Sequence, residues 1–214
     1  MKRLFIFLSI LFFLQSSSTA QDLPDDVLYS DLMIAARDGS KNKVQSLIKS
    51  GADVHQKTNP YSFTALIIAS MWGNEEIAKI LLDAGARVND KDDQGNTALI
   101  YASQFGHYDI IKLILSKNAL VNELNGEGKS ALYNASILGY DDIVSELLTS
   151  KADPNLKTKN GDTALIAAAS WGHIDVVKLL LKAGADTSIR NAKGKTAYDM
   201  AVEKRHQLIA DLLK

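Results

Sequence analysis

The chain of 214 residues contains no cysteine. That absence excludes disulfides, thiolate metal sites, a cysteine nucleophile and a lipidated cysteine. An excess of charge is missing too, since the formal net charge is -1. A near-neutral chain carries no electrostatic argument for nucleic acid or an anionic membrane surface. No apolar run is long enough to span a bilayer. The longest is LFIFLSILFFL, Leu4 to Leu14, too short for a hydrocarbon core about 30 Å thick. Long strand-type alternation is missing as well. So are the G-x-S-x-G elbow and the G-x-x-x-x-G-K-[ST] phosphate loop, which removes the two commonest linear signs of hydrolase and nucleotide chemistry.

The apolar run belongs to a three-part leader. Lys2 and Arg3 precede it, QSSSTA follows, and Ser18 and Ala20 are small residues where a signal peptidase reads. The expectation is a signal peptide over 1–20, cleaved after Ala20, followed by a short tail over 21–29. The protein would then be exported to the periplasm or the medium, with no membrane attachment after cleavage. A core of nearly 200 residues can hold such a chain together without disulfides.

What the sequence has in abundance is itself. TALIIASMWGN, from Thr64, returns as TALIYASQFGH, SALYNASILGY and TALIAAASWGH. Thr64, Thr97, Ser130, Thr163 and Thr196 are thirty-three residues apart, as are Ala69, Ala102, Ala135, Ala168 and Ala201. An earlier copy, DLMIAARDG, sits thirty-four residues before its successor, with the extra residue in KTNPYSF. A period of this size marks a stack of supersecondary units. The expected units run over 30–58, 59–91, 92–124, 125–157, 158–190 and 191–214.

Local chemistry reads each unit as two helices and a turn. The Thr or Ser starts a short helix by accepting a bond from an unpaired backbone N–H. Gly73 and its equivalents end that helix in a left-handed residue. In the second helix Ile77, Ile80 and Leu81 share one face at i, i+3 and i+4. Glu146 takes the middle slot of the fourth unit, which places that slot at a partly exposed edge. DAGARVNDKDDQGN, dense in Gly, Asn and Asp, reads as turns. Such units bury both faces only by stacking on copies, and the two ends must turn polar. Ser30-Asp31-Leu32 at one end and Glu203-Lys204-Arg205-His206 with Lys214 at the other read as caps.

TALxxA, Gly-His and VVKLLLKAGAD at this period resemble the ankyrin repeat family over residues 30 to 214. The resemblance implies an all-α repeat solenoid, an ankyrin-repeat stack of helix–turn–helix units with hairpin-like turns. The family's Thr-Pro-Leu-His opening is altered: Ala65, Ala98, Ala131, Ala164 and Ala197 replace Pro, and Ile67, Ile100, Tyr133, Ile166 and Asp199 replace His. The resemblance also implies a non-catalytic module that binds a protein partner on its concave side, as a monomer and without cofactor or metal. Two alternative roles follow from similar exported proteins. One is an accessory that protects or assists a periplasmic enzyme, and the other is an effector that binds host proteins.

Carried over slot by slot, the binding positions are Met71 and Trp72, Gln104 and Phe105, Ile137 and Leu138, and Ser170 and Trp171. Tyr61 and Phe63 join them at a hairpin tip, with Asp93, Gln94, Asn96, Glu127, Lys129, Lys159 and Asp162 in the other finger slots. One row therefore reads Trp, Phe, Leu, Trp over four neighbouring units. Helices packed 8–10 Å apart set such side chains in line, and an exposed line of them marks an interaction site. The competing expectation is that these large residues simply cover the neighbouring helix turn. His107, His173 and His206 lie in different units and are expected to bond between units instead of gathering round a metal. Asp90, Asp92 and Asp93 lack the spacing of a calcium loop and are expected to be solvated. Asn89, Asn122 and Asn155 are assigned turn roles.

Overall fold

A computed structural model describes residues 29–214, so the expected signal peptide and most of the tail lie outside the described residues. Within that range twelve helices follow one another in consecutive pairs, with no extended strand among the described residues. They are α1 (Asp31–Arg37), α2 (Lys41–Lys49), α3 (Ala65–Met71), α4 (Glu75–Asp83), α5 (Ala98–Phe105) and α6 (Tyr108–Ser116). The chain continues with α7 (Ala131–Leu138), α8 (Asp141–Thr149), α9 (Ala164–Trp171), α10 (Ile174–Lys182), α11 (Ala197–Glu203) and α12 (Gln207–Leu212).

First helices pack on first helices and second on second, so the pairs form two layers and an ankyrin-like stack. The start of each first helix is chemical. Thr64 Oγ1 accepts from Ile67 N–H at 3.2 Å, and Thr97, Ser130, Thr163 and Thr196 do the same for their helices. Replacing such a cap by Ala costs about 1 kcal/mol. The alanine after each cap (Ala65, Ala98, Ala131, Ala164, Ala197) is buried, whereas Asp31, its counterpart in the first unit, is exposed. Gly73, Gly106, Gly139 and Gly172 are left-handed, as the sequence predicts.

The second layer follows the predicted face. Ile77 and Leu81, Ile110 and Ile114, Ile143 and Leu147, and Val176 and Leu180 are buried, while the middle slot of each is half-buried. Glu146 in that slot accepts from the Tyr108 hydroxyl at 3.4 Å. Each fully buried Leu or Ile contributes roughly 1.5–3 kcal/mol, a sum that no single helix pair can reach alone.

The hairpin tips are stitched to one another. Asp93 N–H donates to Tyr61 O, Gly126 N–H to Gln94 O, Lys159 N–H to Glu127 O and Ala192 N–H to Asn160 O. The extra residue of the first spacing is visible here. The first tip closes from Thr58 N–H to Phe63 O, whereas the second closes from Asp92 N–H to Asn96 O, one residue shorter. The asparagines do more than turn the chain. Asn89, Asn122 and Asn155 accept through Oδ1 from Leu120, Asp153 and Asp186 N–H, in each case one unit further on.

The two ends differ. At the first unit Asp31 and Lys43 stand exposed where later units bury Ala65 and Ile77, so that end is capped. The other end departs from the expected cap. Val202, 51% exposed, occupies the slot of buried Ser70, Ser103, Ser136 and Ala169; Leu208, 72% exposed, stands where Glu76, Asp109, Asp142 and Asp175 face water.

That first slot yields a prediction. The Ser70 hydroxyl donates to Leu66 O at 2.8 Å, but the fully buried Ser103 and Ser136 hydroxyls have no partner. An unsatisfied buried hydroxyl costs about 1–3 kcal/mol, and Ala169 shows that alanine fits. Ser103→Ala and Ser136→Ala should each stabilise by about 0.5–1 kcal/mol in urea denaturation, allowing for the small void left. Ser70→Ala should gain nothing.

Candidate protein-binding face

The row Trp72, Phe105, Leu138, Trp171 ends four consecutive, mutually packed first helices: Trp72 is the C-cap residue of α3, and the others are the last residues of α5, α7 and α9. Trp171 is 63% exposed, and Trp72 and Leu138 are each 44% exposed. Phe105 is half-buried, because its ring stacks on Tyr101 at 6.3 Å. The row is therefore divided between exposure and packing. Three members face solvent and one packs.

The preceding slot has a second role that sequence reasoning missed. Met71, Ile137 and Ser170 are half-buried, and their carbonyls accept from the ring Nε2 of His107, His173 and His206 at 3.1, 3.1 and 3.2 Å. A carbonyl can only accept, so each of these rings carries its proton on Nε2. In the second unit Asn74 takes the histidine's place and donates to Ala36 O and Arg37 O at 2.7 and 2.8 Å. The histidines thus bond between units, as predicted, and no group of three or more potential metal ligands occurs among the described residues. Gln104 is half-buried at the same slot of α5.

Tyr61 and Phe63, on the first tip, stack at 5.9 Å. Phe63 meets the edge of Tyr101 at 6.2 Å, and Tyr101 leads on to Phe105. The structure therefore gathers Tyr61, Phe63 and Phe105 into one aromatic strip through Tyr101, a residue the slot arithmetic left out. Its signal was present in the sequence, since Tyr101 breaks the run Ile68, Asn134, Ala167 with the only ring.

Two finger expectations are corrected. Asn96 and Asp92 are buried, not solvated. Asp92 Oδ1 accepts from Gln94 and Asn96 N–H at 2.9 and 2.7 Å, and Oδ2 accepts from the Tyr101 hydroxyl at 2.6 Å and from Asn96 Nδ2 at 3.1 Å. Asn125 Nδ2 then donates to Asn96 Oδ1 at 2.8 Å, joining the next tip. Burial, with the neighbouring Asp92 carboxyl, pushes the Tyr101 hydroxyl well above the usual tyrosine range. Burial, aided by Asp162 and Glu127, pushes Tyr133 up to about 12. These are constructions that hold a proton.

The face is thus a strip of exposed and packed rings bordered by stitched tips, over a continuous buried core. The ankyrin repeat family model (three copies) matches residues 32–125 and 132–214, most of the chain. The chain belongs to the ankyrin repeat family. Among curated proteins it is similar to an ankyrin repeat-containing protein of Treponema pallidum (strain Nichols), 36% identical over 66 residues. That stretch is 31% of this chain and 22% of the relative. It is also similar to the ankyrin repeat and SAM domain-containing protein 6 of Rattus norvegicus, 39% identical over 66 residues, 31% of this chain and 8% of that protein. The alignments span less than a quarter of either relative's length. Ankyrin repeats generally mediate protein–protein interaction and are typically non-catalytic.

Proposed function

We propose that this ankyrin protein is a non-catalytic module of six repeats that holds a polypeptide on the face formed by its first helices and hairpin tips. Trp171, Leu138 and Trp72 carry the reading: they leave large apolar surface in water on helices whose remaining apolar side chains are buried or half-buried. A monomer has no folding reason to keep such a line exposed, and aromatic anchors in a row suit a protein hot spot. Tyr61, Phe63, Met71, Gln104, Phe105, Ile137 and Ser170 complete the contact surface. A pre-built face limits the ordering entropy lost on binding, so modest contacts suffice.

The leader over 1–20 supports export, with cleavage after Ala20 and action in the periplasm or the medium as a single chain. No helix among the described residues is long and apolar enough to cross a membrane. The test is to cross-link the mature protein in its native cells and compare Trp72→Ala/Trp171→Ala with wild type. The expected result is loss of the captured protein with a melting temperature lowered by less than about 4 °C, the shift for roughly 1 kcal/mol in a chain of this size. Unchanged capture would place the binding face elsewhere. Loss of folding itself would return both rings to packing.

A further inference from the structure

The slot that carries the apolar row runs through all six helix pairs: Asp38, Trp72, Phe105, Leu138, Trp171, Lys204. It opens with an acid, continues with four apolar residues and closes with a base. The tips repeat this order, with Asp93 on the second, Glu127 on the third, Lys159 on the fourth and Lys193 on the fifth.

The two signs are not equally free. Asp38 is paired with Arg37 Nε at 2.7 Å. Asp93 accepts from Tyr61 N–H at 3.1 Å and from the Ser62 hydroxyl. Glu127 pairs with Lys129 at 2.7 Å. At the opposite end the acids are engaged as well. Asp162 accepts from Asn191 Nδ2 at 2.8 Å, Asp199 closes the α11 capping box, and Glu203 pairs with Lys195. Lys159, Lys193 and Lys204 are exposed, and their ammonium groups have no ion pair or hydrogen bond among the described residues. Neutral donors leave Asp93 and Asp162 charged, but in the C-terminal half of this face Lys159, Arg190, Lys193, Lys195 and Lys204 outnumber Asp162, Asp199 and Glu203, so that half is net basic, and Lys204 takes the slot of Trp171 one unit further on.

Resting on the binding-face reading above, we infer that the C-terminal half of this face takes an acidic peptide: a linear segment with an apolar or aromatic side chain on Leu138 and Trp171, flanked by carboxylates that meet Lys159, Lys193 and Lys204. Complementary charge fixes register and direction on such a face, and charged groups at its rim set the salt dependence.

A phage-displayed library of random linear peptides, panned on the mature protein, tests this. Enriched peptides should carry an apolar residue between Asp or Glu residues. Their affinity should fall at least about tenfold on Lys159→Glu/Lys193→Glu/Lys204→Glu at low salt, and less at high salt. All three lysines are exposed, so the variant's thermal melt should match wild type. Neutral or basic peptides that still need Trp171 would overturn the acidic partner while leaving the face intact. Peptides indifferent to Trp72→Ala/Trp171→Ala would remove the face itself and the inference with it. Failure to enrich any peptide, or tighter binding to a single-stranded oligonucleotide than to the enriched peptides, would also overturn it.

Discussion

Gly139→Ala should lower stability by about 3 kcal/mol, counting about 1–2 for a side chain in left-handed backbone and the rest for overpacking and a lost hydrogen bond. Gly139 sits at φ 76°. A Cβ there would lie 2.5 Å from His173 Nδ1 and 2.7 Å from Cε1. The ring cannot retreat freely, because its Nε2 is bonded to Ile137 O in the unit below. The melting temperature should therefore drop by roughly 6–12 °C, at 2–4 °C per kcal/mol. Gly184→Ala is the internal control. Gly184 has φ 83° but nothing within 4 Å of an added Cβ, so it should lose only the backbone contribution of about 1–2 kcal/mol. Adding His173→Ala to Gly139→Ala should recover part of the loss, a non-additivity expected of neighbours. Equal losses at Gly139 and Gly184 would show that the interlocked ring contributes nothing.

The second large effect concerns the buried network. Tyr101→Phe removes the donor 2.6 Å from Asp92 Oδ2 and leaves that buried oxygen to Asn96 alone. The expected loss is about 2 kcal/mol. It should be accompanied by loosening of the second tip, readable as faster amide exchange at Gln94 and Asn96. Alkaline pH gives an independent check. Tyr101 and Tyr133 hold their protons more tightly in the folded chain than a free tyrosine does, near pH 10. The unfolded chain therefore ionises first, so this contribution is fully present below about pH 10 and declines as the pH rises through the folded values, about 12 for Tyr133. Tyr101→Phe should flatten that alkaline decline. A neutral substitution with an unchanged alkaline limb would show the network to be idle.

Periodicity made most of the architecture legible. A fixed interval forces equivalent residues into equivalent environments, so Thr64 and its copies could be read as caps and Ile77 with Leu81 as a buried face. Legibility ended where one copy's side chain reaches into another. Asn89 turned out to span two units, and although the histidines were expected to bond between units, their acceptor, the carbonyl of Met71 for His107, was not foreseen, because slot arithmetic says which positions are alike but not how far a side chain extends. Asp92 looked like a solvated turn residue until Tyr101, nine positions on, covered it. The last unit looked capped from its charges, yet Val202 and Leu208 are apolar where the earlier units are polar or small. Trp72, Phe105, Leu138 and Trp171 did fall in line, but only the coordinates separate the exposed tryptophans from the stacked phenylalanine.

The central claim is that one aligned face holds a partner while the second-helix layer serves only the stack. Amide hydrogen exchange of the mature protein, free and bound to whatever native-cell cross-linking captures, reads that claim most directly. The account predicts slowed exchange around Tyr61–Phe63, Trp72, Phe105, Leu138 and Trp171 and along the tips, with α4, α6, α8 and α10 unchanged. Protection confined to those second helices, with the row of rings untouched, would contradict it.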